Sequence, residues 1–273
     1  MSSKPRILFV SHEMNPYIQI SEIAHAALQL PKNMQEKGME IRVLMPRYGS
    51  INERKHRLHE VVRLSGINIV IGENDNPLII KVASLPQARM QVYFLDNEDY
   101  FHRKQGIRDD KGKFFADNHE RMIFFNKGVL ETIVKLGWAP DIVHCNGWMT
   151  SLIPLYIKRY YRHTAVFGNS RVVYSVHPPQ FKEKLAKDLL DKARIEMVSE
   201  ADLAGLASLD EASLHRLAIE HADAVTYEES VAPHFPHVDP AVPHGLFNNN
   251  SLLDTHQHLY QTLLQTVTET VVS

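Results

Sequence analysis

The chain has 273 residues, of which 44% are hydrophobic and 23% charged, with a formal net charge of −2. These values fit a globular α/β chain of one large domain or two small ones, and a charge so near zero leaves no electrostatic footprint for nucleic acid. No apolar stretch approaches the about 20 residues of a membrane span. Cys145 is the sole cysteine, which excludes an internal disulfide and fits a reducing compartment. Met1-Ser-Ser-Lys-Pro5 runs toward a strand without an apolar leader, so the expected location is cytoplasmic.

Arg6-Ile-Leu-Phe-Val10 is a short apolar run and predicts a buried parallel strand. After the loop Ser11–Tyr17, apolar residues from Ile20 and Ile23 to Met34 recur at helical spacing, with Gly38 as the stop. Ile41–Met45 is the second strand, which completes a βαβ unit whose first loop lies where such sheets bind ligands. His59–Ile71 reads as mostly strand with Gly66 as a break or bulge, Asn74-Asp-Asn-Pro77 as a turn, and Leu78–Ala83 and Gln91–Leu95 as two more strands. A polar loop follows through Asp109-Asp110, whose carboxylates read as solvated. Asn118–Leu136 predicts a long amphipathic helix ended by Gly137, and Asp141–Cys145 another buried strand. Trp148–Tyr161 reads as helix, Arg171–Val176 as strand, and Leu217–Thr226 as helix leading into strand. Ser251, with Asp254 three residues on, reads as the cap of a last helix carrying Leu252, Leu253, Leu259, Leu263, Leu264 and Val267.

Three blocks, Arg6–Tyr17, Leu30-Pro-Lys32 and Arg42-Val-Leu-Met-Pro-Arg-Tyr-Gly49, together resemble the opening of bacterial glycogen synthases and plant starch synthases. That resemblance implies a Rossmann-like, doubly wound, mostly parallel sheet equivalent to the N-terminal half of a GT-B glycosyltransferase. The family transfers glucose from ADP-glucose to an α-1,4-glucan. Where its members carry Lys-Thr-Gly-Gly-Leu facing the donor's phosphates, this chain has Gln19-Ile-Ser-Glu-Ile23. Glu22 favours a helix N-terminus but repels phosphate, and no glycine lets backbone N–H groups close on a diphosphate.

Asp141–Tyr156 and Tyr174–Pro179 match two further family blocks. His144 and Trp148 are kept; the histidine that the family places near the reacting sugar is Asn146, which cannot titrate. His177 is kept and followed by Pro178. The candidate sugar- or glucan-binding residues are therefore Gln19, His144, Asn146, Trp148 and His177, with no catalytic residue assigned. For His144 a core histidine bonded to a backbone carbonyl, and for His177 a strand-closing role, stand as the structural alternatives. Asp223 reads as a cap or turn residue.

The histidine pairs His234/His237 and His256/His258 lack the partners of a metal site, and no cofactor or metal is expected. The expected domains are a starch-synthase-like unit over 1–250 and a helix over 251–273 packed on it. A two-domain GT-B enzyme needs roughly 450 residues, so the resemblance implies a chain not competent alone. The open readings are a glycogen/starch synthase-like transferase completed by another chain, or a non-catalytic relative that binds glucan or a protein. The ligands and partners in view are an α-glucan, a nucleotide sugar, a protein partner or a second copy of the chain, without nucleic acid or membrane.

Overall fold

The computed structural model describes residues 4–85, 88, 90–235, 239 and 241–272, with side chains through 265. Ten strands form one sheet: β1 Arg6–Ser11, β2 Glu40–Pro46, β3 His59–Glu60, β4 Ile67–Ile71, β5 Asn74–Leu85, β6 Met90–Asp96, β7 Ile142–Asn146, β8 Arg171–Val176, β9 Ala224–Glu228 and β10 His244–Phe247. From edge to edge the order is β10-β9-β8-β7-β1-β2-β6-β5-β3, with β4 paired to β5. The seven strands from β10 to β6 pair in parallel, and β5 runs antiparallel to β6, β3 and β4. The apolar runs legible in the sequence are these central strands, whose residues are nearly all buried because helices cover both faces.

The helices are α1 Ile23–Glu36, α2 Glu53–His56, α3 Glu98–Phe101, α4 Asn118–Leu136, α5 Leu152–Arg159, α6 Leu189–Lys192, α7 Glu200–Leu203, α8 Glu211–His221 and α9 Leu252–Val272. The connection through α1 steps from β1 to β2 in one direction; that through α5 steps from β7 to β8 in the other. Right-handed crossovers therefore place these two helices on opposite faces. α9 packs beside α1, while α5 packs against α4 and α8. The order reverses between β1 and β7, so the carboxyl ends of these neighbours open the crevice where doubly wound sheets take ligands.

Three local expectations are corrected. The segment Val61–Ser65 is a turn between β3 and β4 rather than strand, with Leu64 N and Ser65 N donating to Val61 O at 2.9 and 3.0 Å. Asn74–Pro77 is strand, not turn: it pairs with β4 from Ile71↔Asn74 to Asn68↔Pro77, and the reversal is the two-residue loop Gly72-Glu73. Gly72 has φ +59°, the positive value that tight hairpins require. Pro77 is tolerated because β6 pairs with β5 only from Ile79 onward. The last helix is capped three residues earlier than expected. Asn248 Oδ1 accepts from Asn250 N (2.8 Å) and Ser251 N (3.1 Å), while Ser251 Oγ accepts from Asn248 N (3.0 Å), a reciprocal capping box. Asp223, expected as a cap or turn residue, lies at the bend before β9, and its carboxylate accepts from Val172 N of β8 at 2.7 Å and from Lys158 Nζ.

Gly49 is required by close approach. A Cβ there would lie 2.0 Å from the His102 carbonyl oxygen, and Gly49 N donates to Phe101 and Arg103 carbonyls at 2.8 Å each. Gly49→Ala is expected to lower folding stability by about 3 kcal/mol, the upper range for overpacking against fixed backbone. Urea unfolding checks this, and a change below about 0.5 kcal/mol would contradict it.

Candidate functional site

At the carboxyl ends of the parallel strands lies a cleft of ≈ 860 Å³. One wall is the turn into α1 (Ile20–Ile23), a second the segment after β8 (His177–Gln180), and a third the junction from β10 to α9 (Phe247–Asn250 and Leu252). Gly106, Ile107 and Arg108 close the remaining side. Arg108 pairs bidentately with Glu183 (2.5 and 2.9 Å), and the guanidinium holds that carboxyl below its usual range. Among the described lining residues Arg108 is the sole lysine or arginine, whereas Glu22 and Glu228 both face the cleft.

The turn into α1 is held from inside. Buried Glu13 accepts from Ile20 N (2.6 Å), Ser21 N (2.7 Å) and Ser21 Oγ (2.6 Å), and Ile23 N donates to Ser21 Oγ (3.2 Å). The N–H groups at the start of the helix are thus already satisfied by the chain itself. Gln180 ties this turn to the core, donating to Glu13 Oε1 and Ser21 Oγ at 2.9 Å each and accepting from Trp148 Nε1 at 2.8 Å.

Of the five sequence candidates, His177 lines the cleft. It is 5% exposed, its Nε2 has no hydrogen-bond partner, and burial pushes its pKa down to about 3. It is therefore a neutral imidazole at pH 7, able to exchange one hydrogen bond with a ligand hydroxyl but not to act as an acid there. Trp148 is buried and acts on the turn through Gln180. Asn146 is buried, with Nδ2 donating to Val10 O at 3.4 Å, and Gln19 is exposed outside the cleft lining.

His144 is a core histidine, but its partners are side chains rather than a backbone carbonyl. Nε2 meets Ser175 Oγ at 2.6 Å and Nδ1 meets Tyr260 OH of α9 at 2.5 Å. Ser175 Oγ is 2.6 Å from Thr226 Oγ1, which is 3.0 Å from His256 Nε2, and His256 Nδ1 is 2.7 Å from Leu252 O. A carbonyl only accepts, so His256 carries its proton on Nδ1. All acceptors are then satisfied in one direction: Tyr260→His144→Ser175→Thr226→His256→Leu252. All but Leu252 O are side-chain groups of fully buried residues. His258, two residues from His256, points to solvent, as helix geometry requires. Sequence reasoning missed Glu13, Gln180 and Tyr260; the buried row Asn146, Ser175 and Thr226, in register at the ends of apolar strands, was the available signal.

His234 lies in a short 3₁₀ turn and its partner His237 falls outside the described residues. Among the described residues, His119, Glu120 and Asp188 bring three possible metal-ligand atoms together. The Lys192 ammonium sits 2.7 Å from both carboxylates and holds Asp188 below its ordinary pKa, so a cation of the chain itself already neutralises the group.

The sheet order defines a Rossmann-like α/β fold with a cleft at the carboxyl ends of its parallel strands. The family profile described as "Starch synthase catalytic domain" matches residues 6–231. Glycogen synthase of Chlorobium luteolum is 40% identical over 223 residues, covering 81% of this chain and 45% of that protein. Glycogen synthase of Pelodictyon phaeoclathratiforme is 36% identical over 262 residues, covering 95% and 52%. The catalytic domain of starch synthase IV from Arabidopsis thaliana bound to ADP and acarbose shares the fold, with a TM-score of 0.74 at 15% identity, over 90% of this chain and 52% of that one. The chain belongs to the starch synthase catalytic domain family, and it spans about half the length of the glycogen synthases it matches. Among the described residues, no helix is long and apolar enough to cross a membrane.

Proposed function

We propose that the cleft binds an uncharged α-glucan oligosaccharide and that the chain by itself does not transfer glucose from a nucleotide sugar. The observation that carries this is the cleft's inventory of charge and donors. Glu22 and Glu228 face the space, its one arginine is engaged with Glu183, and the backbone donors of the α1 turn are spent on Glu13 and Ser21. A diphosphate placed there would meet two carboxylates and, among the described lining residues, no unpaired cation, a repulsive arrangement in a partly desolvated site.

An oligosaccharide meets complementary groups. The side-chain amides of Asn249 and Asn250 supply neutral donors and acceptors, and Pro178, Pro179, Phe247 and Leu252 supply apolar surface for sugar ring faces. His177 adds one neutral imidazole nitrogen with its hydrogen-bonding capacity unused. Non-titrating Asn146 at the end of β7 and neutral His177 leave no acid or base of suitable pKa among these positions.

Membership of the family favours a second reading, glucosyl transfer of the glycogen synthase type. Calorimetry with maltoheptaose, ADP and ADP-glucose, together with a glucose-transfer assay on glycogen, separates the two. The expected result is heat from maltoheptaose alone and no transfer. Turnover of ADP-glucose by the purified chain overturns the proposal and leaves the transferase reading.

A further inference from the structure

Building on the cleft as a glucan site, we propose that docking of α9 completes that site, with Tyr260, His144 and His256 as its positioning residues. Ligand in the cleft then holds the helix down, and undocking of the helix releases ligand. Four observations converge. The third wall of the cleft is the segment Phe247–Leu252, which runs without a break into α9. Phe247 stands between cleft and helix anchor, its ring 5.4 Å from that of His177 and 5.0 Å from that of His256. Leu252 lines the cleft with its side chain and receives His256 with its carbonyl. The helix is fixed to the sheet by the hydrogen-bonded series that ends in Tyr260 and His144, 116 residues apart in sequence.

The chemistry of the anchor makes it two-state rather than graded. Two links of the series, Tyr260–His144 and Thr226–His256, join the sheet to α9 and exist only while the helix is in place, whereas His144–Ser175 and Ser175–Thr226 lie within the sheet. Lifting the helix orphans His144 Nδ1 and the Thr226 hydroxyl in one step, unless water enters. The Tyr260 ring also packs edge-on to Phe9 of β1, with ring centroids 6.2 Å apart. A helix carried on polar anchors and a modest apolar face is the kind of element that opens below the global unfolding free energy. A ligand that binds only the docked form stabilises it by the factor 1 + [ligand]/Kd.

Amide hydrogen exchange on the whole chain, with and without maltoheptaose, tests this, with Tyr260→Phe as the probe of the anchor. Tyr260→Phe removes one buried hydroxyl and is expected to speed exchange in α9 by about tenfold while leaving α4 unchanged. In the wild-type chain, maltoheptaose at about 100 times its Kd is expected to slow α9 exchange by about 100-fold. Equal acceleration of α4 and α9 in Tyr260→Phe overturns the inference, because α9 then opens only with the whole domain. Unslowed α9 exchange with the cleft saturated also overturns it, because ligand then binds with the helix lifted. If calorimetry detects no maltoheptaose binding to the wild-type chain, the glucan reading itself falls and the coupling falls with it. If Tyr260→Phe does not fold, the wild-type comparison of α9 with α4 in the presence of ligand decides alone.

Discussion

Arg121→Ala is expected to cost about 4 kcal/mol of folding stability and to weaken ligand binding in the cleft as well. Arg121 lies on α4 and is 0% exposed. Its Nε donates to Tyr100 O at 2.8 Å, and its Nη1 donates to Gly106 O at 2.6 Å and Asn118 Oδ1 at 2.8 Å. The guanidinium also lies over the rings of Phe101, Phe115 and Tyr48 at 5.3 to 5.7 Å. Burial lowers its pKa, yet a guanidinium keeps its charge, so the energy of the site rests on these partners. Alanine leaves a cavity the size of the side chain and strands two backbone carbonyls that hold the loop over 100–107. Because Gly106 and Ile107 form one side of the cleft, stability and binding should fall together. Arg121→Met separates the causes: it refills much of the volume without the donors, so binding should stay weak while part of the stability returns. Urea unfolding and calorimetry measure both, and a loss below about 1 kcal/mol for Arg121→Ala would show that the loop is held by something else.

Stability is expected to fall steeply as the pH drops from 7 to 5. Burial lowers the pKa of His256 to about 4 and of His177 to about 3, and it pushes His144 well below its ordinary value, with the neighbouring histidines adding to the effect for His144 and His177. These are bases whose folded-state values lie below the ordinary 6.5, so the unfolded chain binds their protons first. The folded state incurs no penalty above about pH 6.5, and the penalty grows as the pH falls toward 4. At pH 5 each histidine is worth about 2 kcal/mol, so the three together rival the whole stability of an ordinary domain. The one-way hydrogen-bond series gives the structural reason. Protonating His256 turns Nε2 from acceptor into donor, which requires Thr226, Ser175 and His144 to reverse together around a buried charge. His256→Gln should flatten the pH dependence without abolishing it, since His144, His177 and the equally buried His12 keep their lowered values. A urea midpoint unchanged between pH 7 and pH 5 would refute this account.

Much of the frame was legible in the residues themselves. Arg171–Val176 and Asn118–Leu136 fold as the periodicity indicates, because a run of buried β-branched residues and a four-turn apolar stripe each have one way to satisfy backbone and core. Gly137 ends α4 with φ +65°, the left-handed cap its sequence position implied. Asn74–Pro77 misled because Asn, Asp and Pro are turn formers, whereas Gly72 one step earlier takes the positive φ and leaves them to the strand. Ser251 misled because the local Ser-to-Asp spacing competes with a better reciprocal pair, Asn248 and Ser251.

The site was less legible, for a physical reason. Matching blocks identified which positions sit at strand ends, and His177 indeed faces the cleft. The blocks could not say which way a strand-end side chain turns. His144 and His177 look equivalent in sequence, each a histidine near the end of an apolar strand. One is sealed against Tyr260 by a helix more than 100 residues away, and the other lines the cleft with an unpartnered Nε2.

Residue type and short-range period were enough for the family, the parallel α/β sheet and the loss of the glycines and lysine at the α1 turn. Long-range packing settled that Glu13 fills the turn's donors from within, that Arg108 is held by Glu183, and that the junction of β10 and α9 supplies a wall of the cleft through Phe247 and Leu252. Those outcomes depend on which long-range partners reach each buried polar group first, and no local pattern encodes that competition.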